Sequence, residues 1–244
     1  EIPVEWKSAR VTTVYKSGSK LSVNNYRPIS ILPVLVKVLE KGIHTQFYNY
    51  LSQNNLLTNF QSGFRPKHST QTSLHLVTED WYQAFLDRKY IGVLALDLRK
   101  AFDTVNHTIL LDKLKAYGVG QNSLPWFSAY LTGRKQLVSF NNTQSNPQTV
   151  SVGVPQGSIL GPLFFILYIN DLPSCLNYCN VNMYADDTAI YIADKSLGKI
   201  QELLQSDLSN IYDWLCANEL SLNVSKTNVM VICTSAKQSH SENT

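Results

Sequence analysis

No two cysteines in this 244-residue chain are spaced as CxxC, and no histidine pair accompanies the four that are present. A thiolate zinc site and a disulfide framework are both excluded, so Cys175, Cys179, Cys216 and Cys233 read as reduced, packed residues of an intracellular protein. Long apolar runs are lacking too. The longest, Leu163 to Ile169, is far too short to cross a bilayer, and no signal peptide opens the chain. Charge is sparse, at 16% Asp, Glu, Lys and Arg, but 44% hydrophobic residues exclude a disordered chain and supply a core. The net charge is only +3, and it is unevenly spread. Residues 1–70 carry nine Lys or Arg against three acids, and the remainder twelve against fifteen. A basic front and an acidic rear suit a polyanion gripped by one part and a metal held by the other. The chain begins with Glu1, which suggests a fragment or a processed piece.

No repeat or low-complexity tract interrupts the chain. Residues 9–16 read as a strand, followed by a polar loop. Pro33 opens a helix over Val34 to Asn49, with Val34, Val38, Ile43 and Phe47 along one face. A second helix covers Gln71 to Arg88. The continuous apolar run YIGVLALDL marks a strand buried on both faces. Helices over about 108–117 and 123–132 are stopped by Gly118 and Gly133. A hairpin follows (KQLVSFN and QTVSVGV), then a buried helix from Ser158, a hairpin around NMYADDTAIYI, a long helix over about 196–217, and a last strand, NVMVICT. The tail from Ser235 is polar and reads as loose. The rear half suits one antiparallel sheet with two helices on one face, as in ferredoxin-like sheets.

The chemistry concentrates at Asp186 and Asp187, adjacent carboxylates between two strand-like runs. At ~4 Å and an effective dielectric of about 20 their repulsion costs roughly 4 kcal/mol. They are either an ordinary hairpin tip, since Asp favours turns, or half of a metal site whose cation cancels the repulsion. The metal reading needs a third carboxylate, and Asp97 at the end of the apolar strand supplies it. A buried charge there requires a partner, either Arg99 or Lys100, or a cation shared with Asp186 and Asp187. Oxygen ligands without His or Cys favour Mg2+ or Mn2+. Two such ions would activate a 3′-hydroxyl and stabilise a leaving pyrophosphate.

YADD (184–187), ALDLRKAFDTV (95–105) and GVPQGSILGPLFFILYINDL (153–172) resemble the central motifs of reverse transcriptases, specifically those of non-LTR (LINE-type) retrotransposons. NNYRPISILPVLVKVLEKGI (24–43), FQSGFRPKHST (60–70) and LSLNVSKTNVMV (220–231) are similar to further blocks of that family, in its order. The resemblance implies an α+β right-hand polymerase over about 1–236, with a polar tail at 237–244. The fingers would span about 1–90 and 118–154, and the palm about 91–117 and 155–236. It also implies a thumb after the last matched block and an endonuclease before the first, neither recognisable here. The implied activity is RNA-directed DNA polymerisation, with an RNA template, a DNA primer and dNTPs as partners.

Residue by residue, the resemblance implies Asp97 and Asp186 as principal metal ligands, Asp187 in support, and the Leu98 carbonyl on the second ion. Phe102, five positions after Asp97, would be a steric gate against a ribonucleotide 2′-hydroxyl. Arg27 would bind the triphosphate, with Lys16 assisting. Gln156 and Gly157 would lie beside the nascent base pair, and Lys226 would donate a proton to pyrophosphate. Gly63, Phe64 and Arg65 would touch the template. Asp103, His68 and His107 read as structural. The rivals are an inactive fragment that at most binds nucleic acid, and a palm-type nucleotide cyclase, which would have no need of SGFRP or PQG.

Overall fold

The computed structural model describes residues 2–141 and 143–234; the expected loose tail lies outside the described residues. The chain divides into two compact units. The first comprises residues 1–57 and 100–168, the second 58–99 and 169–244.

In the first unit, β1 (Ser8–Tyr15) pairs antiparallel with β2 (Tyr26–Ile31) and parallel with β4 (Arg134–Phe140). β4 in turn pairs with β5 (Thr143–Gln144) and β6 (Gln148–Val150), the hairpin expected there. Four helices accompany this sheet: α1 (Val34–Gln53), α3 (His107–Ala116), α4 (Leu124–Leu131) and α5 (Leu160–Tyr168). α5 is buried along its whole length except at Pro162, as its unbroken apolar sequence requires. Ser158 Oγ accepts the Gly161 N–H at 2.9 Å, so the expected cap is present. Gly118 (φ 84°) and Gly133 (φ 67°) sit just beyond α3 and α4 in the left-handed conformation that ends helices there.

The face expected for α1 is corrected in part: Phe47 is buried as expected, but the helix's N-terminal half is turned. Val34 and Val38 are 76% and 66% exposed, and the buried positions are Val36, Glu40, Phe47 and Leu51. The reason is Glu40, a fully buried carboxylate. Its Oε1 accepts the Tyr130 hydroxyl at 2.5 Å and its Oε2 the Ile159 N–H at 2.7 Å. These partners turn the helix towards a polar anchor that hydrophobic spacing does not register.

The second unit is a four-stranded antiparallel sheet in the order β7 (Asn180–Tyr184), β8 (Asp187–Asp194), β3 (Tyr90–Leu96), β9 (Asn228–Ile232). β3 is central and nearly all buried. α2 (Thr70–Leu86), with its Ser69–Thr72 capping box, covers one face through Val77 and Ala84 against Ile91, Val93 and Tyr191. α6 (Leu197–Ala217) covers the other, since a Cβ on Gly92 would lie 2.3 Å from Ile200 Cγ2. Two helices on one face were expected; in this unit one helix lies on each face, α6 on one and α2 on the other.

Asp207 ties α6 to the start of β7. It is fully buried, and its carboxylate accepts the backbone N–H groups of Asn177, Tyr178 and Cys179 at 2.9, 3.0 and 2.8 Å. Burial alone would raise its pKa, but these three bonds hold it below the usual carboxylate value. Its contribution to stability is therefore present above the ordinary carboxylate range and is lost as pH falls through the depressed value. Asp207→Asn costs about 2 kcal/mol in urea unfolding at pH 7, and the gap closes in acid. A gap independent of pH would contradict this role.

Candidate active site

The site lies at one end of the second unit's sheet. Tyr184 pairs with Asp187 across the β7–β8 hairpin, which leaves Ala185 and Asp186 as a two-residue turn. β3 runs alongside β8 with Leu96 opposite Thr188, so Asp97 leaves its strand beside the start of β8. The order of the sheet thus carries Asp97 to the hairpin tip, although more than eighty residues intervene. A cavity of about 600 Å³ opens there, lined among others by Asp97, Asn182, Tyr184, Asp187, Ser225 and Lys226.

Charge is in excess at this tip. The Asp187 carboxyl, although open to solvent at its edge, is raised above the usual carboxylate value. The causes, largest first, are partial burial, the Asp186 carboxylate and the Asp97 carboxylate, with Lys226 opposing them. Asp97 is not held by Arg99 or Lys100. Its Oδ2 accepts the Asn223 side-chain amide at 2.8 Å, and its backbone carbonyl accepts the Asn223 N–H at 2.8 Å. Leu98, the next residue, is buried and bridged to Leu222.

The expected meeting of three carboxylates at one point is met only in part. Among the described residues no group of three His, Cys, Asp or Glu side chains is gathered tightly enough to hold a metal ion. Mutual repulsion works against closer approach, and Asn223 draws Asp97 to itself. The donor chemistry still fits a hard divalent cation: three carboxylates, no soft ligand, and a charge excess that a cation would relieve.

The FQSGFRP stretch belongs to the same unit. Gln61 bridges to Met183 of β7, the Ser62 N–H donates to the Met183 carbonyl, and the Met183 N–H to the Phe60 carbonyl. Gly63 is buried, and the close approach that glycine permits there is to Ala185: a Cβ would lie 2.1 Å from the Ala185 nitrogen. Arg65 Nη1 donates to the carbonyls of Thr58 and Gln61 at 2.6 and 3.0 Å, which fixes the loop. Phe64 is 47% exposed and held at φ 58°, an outlier for a bulky residue.

The remaining candidates lie in the first unit. Lys16 and Arg27 are exposed; the Lys16 N–H donates to the Asn25 carbonyl, and Arg27 pairs with Val14 in the β1–β2 ladder. Phe102 is half-buried, its ring stacked on Phe165 with centroids 4.6 Å apart. The Gln156 side-chain amide donates to Asp103 Oδ1 at 2.9 Å, and its carbonyl accepts the Ser30 N–H at 2.6 Å. Gly157 has φ 124°, and a Cβ there would lie 2.4 Å from the Ser30 carbonyl oxygen, so this glycine is required by the neighbouring strand itself. Asp103 is structural, as expected. So is His107, buried with Nε2 2.7 Å from the Gly153 carbonyl. Sequence reasoning missed Asn223 and Gln61, although both lie inside quoted motif blocks.

Comparison with known proteins shows the family. Residues 14–242 match the family model for reverse transcriptase (RNA-dependent DNA polymerase). Among curated relatives, the probable RNA-directed DNA polymerase from transposon BS of Drosophila melanogaster is 33% identical over 240 residues, covering 92% of this chain and 26% of the relative. The RNA-directed DNA polymerase from mobile element jockey of the same organism is 32% identical over 232 residues, covering 92% and 25%. The chain therefore spans about a quarter of the length of these relatives. A telomerase from Candida tropicalis, solved in complex with a fragment of telomeric RNA, superposes with a TM-score of 0.65 at 12% identity over 93% of this chain and 41% of that one. That likeness shows the fold alone, a right-hand polymerase. The chain belongs to the reverse transcriptase family and is a domain of the LINE-type, non-LTR retrotransposon branch, a family whose enzymes generally use divalent metal ions.

Proposed function

We propose that this domain extends a DNA primer on an RNA template by nucleotidyl transfer from dNTPs. The observation that carries the reading is the sheet-end cluster, where partial burial, Asp186 and Asp97 together raise the Asp187 carboxyl beside an open cavity. In the reaction the primer 3′-oxygen attacks the α-phosphorus, the bond to the β-phosphate oxygen breaks, and pyrophosphate leaves. Two Mg2+ or Mn2+ ions held by Asp97, Asp186 and Asp187, with the Leu98 carbonyl, would supply activation of the 3′-hydroxyl and charge neutralisation at the leaving group. The chain's own residues set the rest. Asn223 holds Asp97 in place by side chain and backbone. Lys226, exposed and close enough to oppose the rise at Asp187, delivers a proton to pyrophosphate. Arg27 and Lys16 take the triphosphate, and Gln156 and Gly157 border the nascent pair.

Phe64 offers a stacking face to the template. Strain at a positive φ in a bulky residue points to use, and glycine there separates the two effects. Phe64→Gly keeps or raises stability, by up to about 1 kcal/mol. It weakens RNA binding by about 1–3 kcal/mol, the worth of one stacked base. Equal RNA affinity in a binding titration would remove Phe64 from the template contact.

The test of the whole reading is incorporation of dTTP on poly(rA) primed with oligo(dT), in Mg2+ and then Mn2+. A second reading, a domain that grips nucleic acid without catalysis, is favoured by the ungathered carboxylates. Duplex binding without incorporation in either ion would establish it.

A further inference from the structure

We infer that Gln61 is a positioning residue for the Asp186–Asp187 turn, acting as a peptide-group substitute that closes the turn's backbone. The inference rests on the reading of Asp186 and Asp187 as catalytic. The turn needs a fixed geometry and lacks local means to keep it. Ala185 stands at φ 57°, while Asp186 has no positive φ. Two-residue hairpins of that form favour glycine at the first position, so alanine is strained there. The next two residues carry like charges, which push the turn open. The Ala185 N–H and C=O also lie in the turn, beyond the last ladder pair, Tyr184 with Asp187.

Gln61 answers each of these. It is 1% exposed, and its Oε1 accepts the Ala185 N–H at 2.9 Å and the Gly63 N–H at 2.7 Å. Its Nε2 donates to the Ala185 carbonyl at 3.1 Å. One amide thus pairs with both the donor and the acceptor of the strained residue. The orientation of the amide is fixed, because flipping it would set an NH2 against two N–H donors. Glutamate has the same shape but no donor, and would add a fourth carboxylate to the cluster. Methionine has similar bulk and neither polar group. Gly63 completes the fit, since any Cβ would strike the Ala185 backbone. The short Phe60–Ser62 pairing with Met183 holds Gln61 in register with the turn. Gln61, Ser62 and Gly63, all buried, are therefore a brace for the catalytic hairpin, and Phe64, the next residue, is exposed to solvent.

The experiment compares wild type with Gln61→Met and Gln61→Glu. Amide exchange resolved by residue in the free chain reads the brace directly. The Ala185 amide exchanges at least about tenfold faster in both variants, while Ile190 and Val93 in the β3–β8 ladder keep their protection. In primer extension, turnover falls about 100-fold, the scale of a small misplacement of reacting groups, and the KM for dTTP stays within about twofold. An unprotected Ala185 amide in wild type, or unchanged exchange in both variants, overturns the inference. So does a raised KM at unchanged turnover, which would make Gln61 a substrate contact. If wild type itself fails to incorporate, the catalytic reading falls and the exchange arm still decides whether the brace exists.

Discussion

Asp186→Asn abolishes incorporation of dTTP on a poly(rA) template and, in EDTA, makes the chain more stable. Both effects have one cause. Asp186 raises Asp187 through like charge, second only to burial. A carboxyl raised in the folded state favours folding below its ordinary value and disfavours it as pH rises through the raised value. At neutral pH the wild-type cluster therefore carries a repulsion that the amide removes. Solvent reaches Asp187, so screening keeps the gain below about 1 kcal/mol. The catalytic loss is much larger. Removing a ligand from a divalent site that stabilises developing charge costs at least about 1,000-fold in turnover. Mg2+ should erase the stability difference, because it stabilises wild type more than the variant. Near-normal turnover in Asp186→Asn refutes the assignment, and equal thermal midpoints in EDTA refute the proposed repulsion.

Phe102→Val admits ribonucleotides. The ring is placed by the core: Phe165 beneath it is fully buried, and the two rings lie 25° from parallel at 4.6 Å. We propose that a ring held this firmly does not swing away from an extra hydroxyl, so that a ribonucleotide would be rejected by a steric clash of about 1–3 kcal/mol. Valine removes the outer atoms and with them roughly 5- to 150-fold of discrimination in kcat/KM between dTTP and UTP. Stability falls as well, by about 1–3 kcal/mol, because the stack on Phe165 is lost. An unchanged dTTP/UTP ratio in a folded variant would return Phe102 to core packing alone.

How much of this was legible in the sequence depends on how local the cause was. The central strand β3 declared itself by an unbroken apolar run, α5 by apolarity all round, and the ends of α3 and α4 by glycines. The Asp186–Asp187 hairpin stood out because adjacent carboxylates between strands are costly. What escaped were features made by distant pairings. The buried face of α1 turns on Glu40, whose partners Tyr130 and Ile159 lie 90 and 119 residues away. The parallel pairing of β1 with β4 joins strands more than a hundred residues apart. Gln61 and Asn223 support residues 124 and 126 positions distant through two hydrogen bonds each, and nothing in their own neighbourhoods marks them. That position 157 must be glycine follows from the Ser30 carbonyl of a strand more than a hundred residues away, which the local sequence does not show.

Catalysis by this domain requires that Asp97 and the Asp186–Asp187 pair act as one cation site. Mn2+ titration followed by electron paramagnetic resonance, in the presence of a dideoxy-terminated primer–template and dTTP, measures this directly. The expected result is that two ions bind wild type and at least one is lost from Asp97→Asn. Binding in Asp97→Asn indistinguishable from wild type would contradict a shared site.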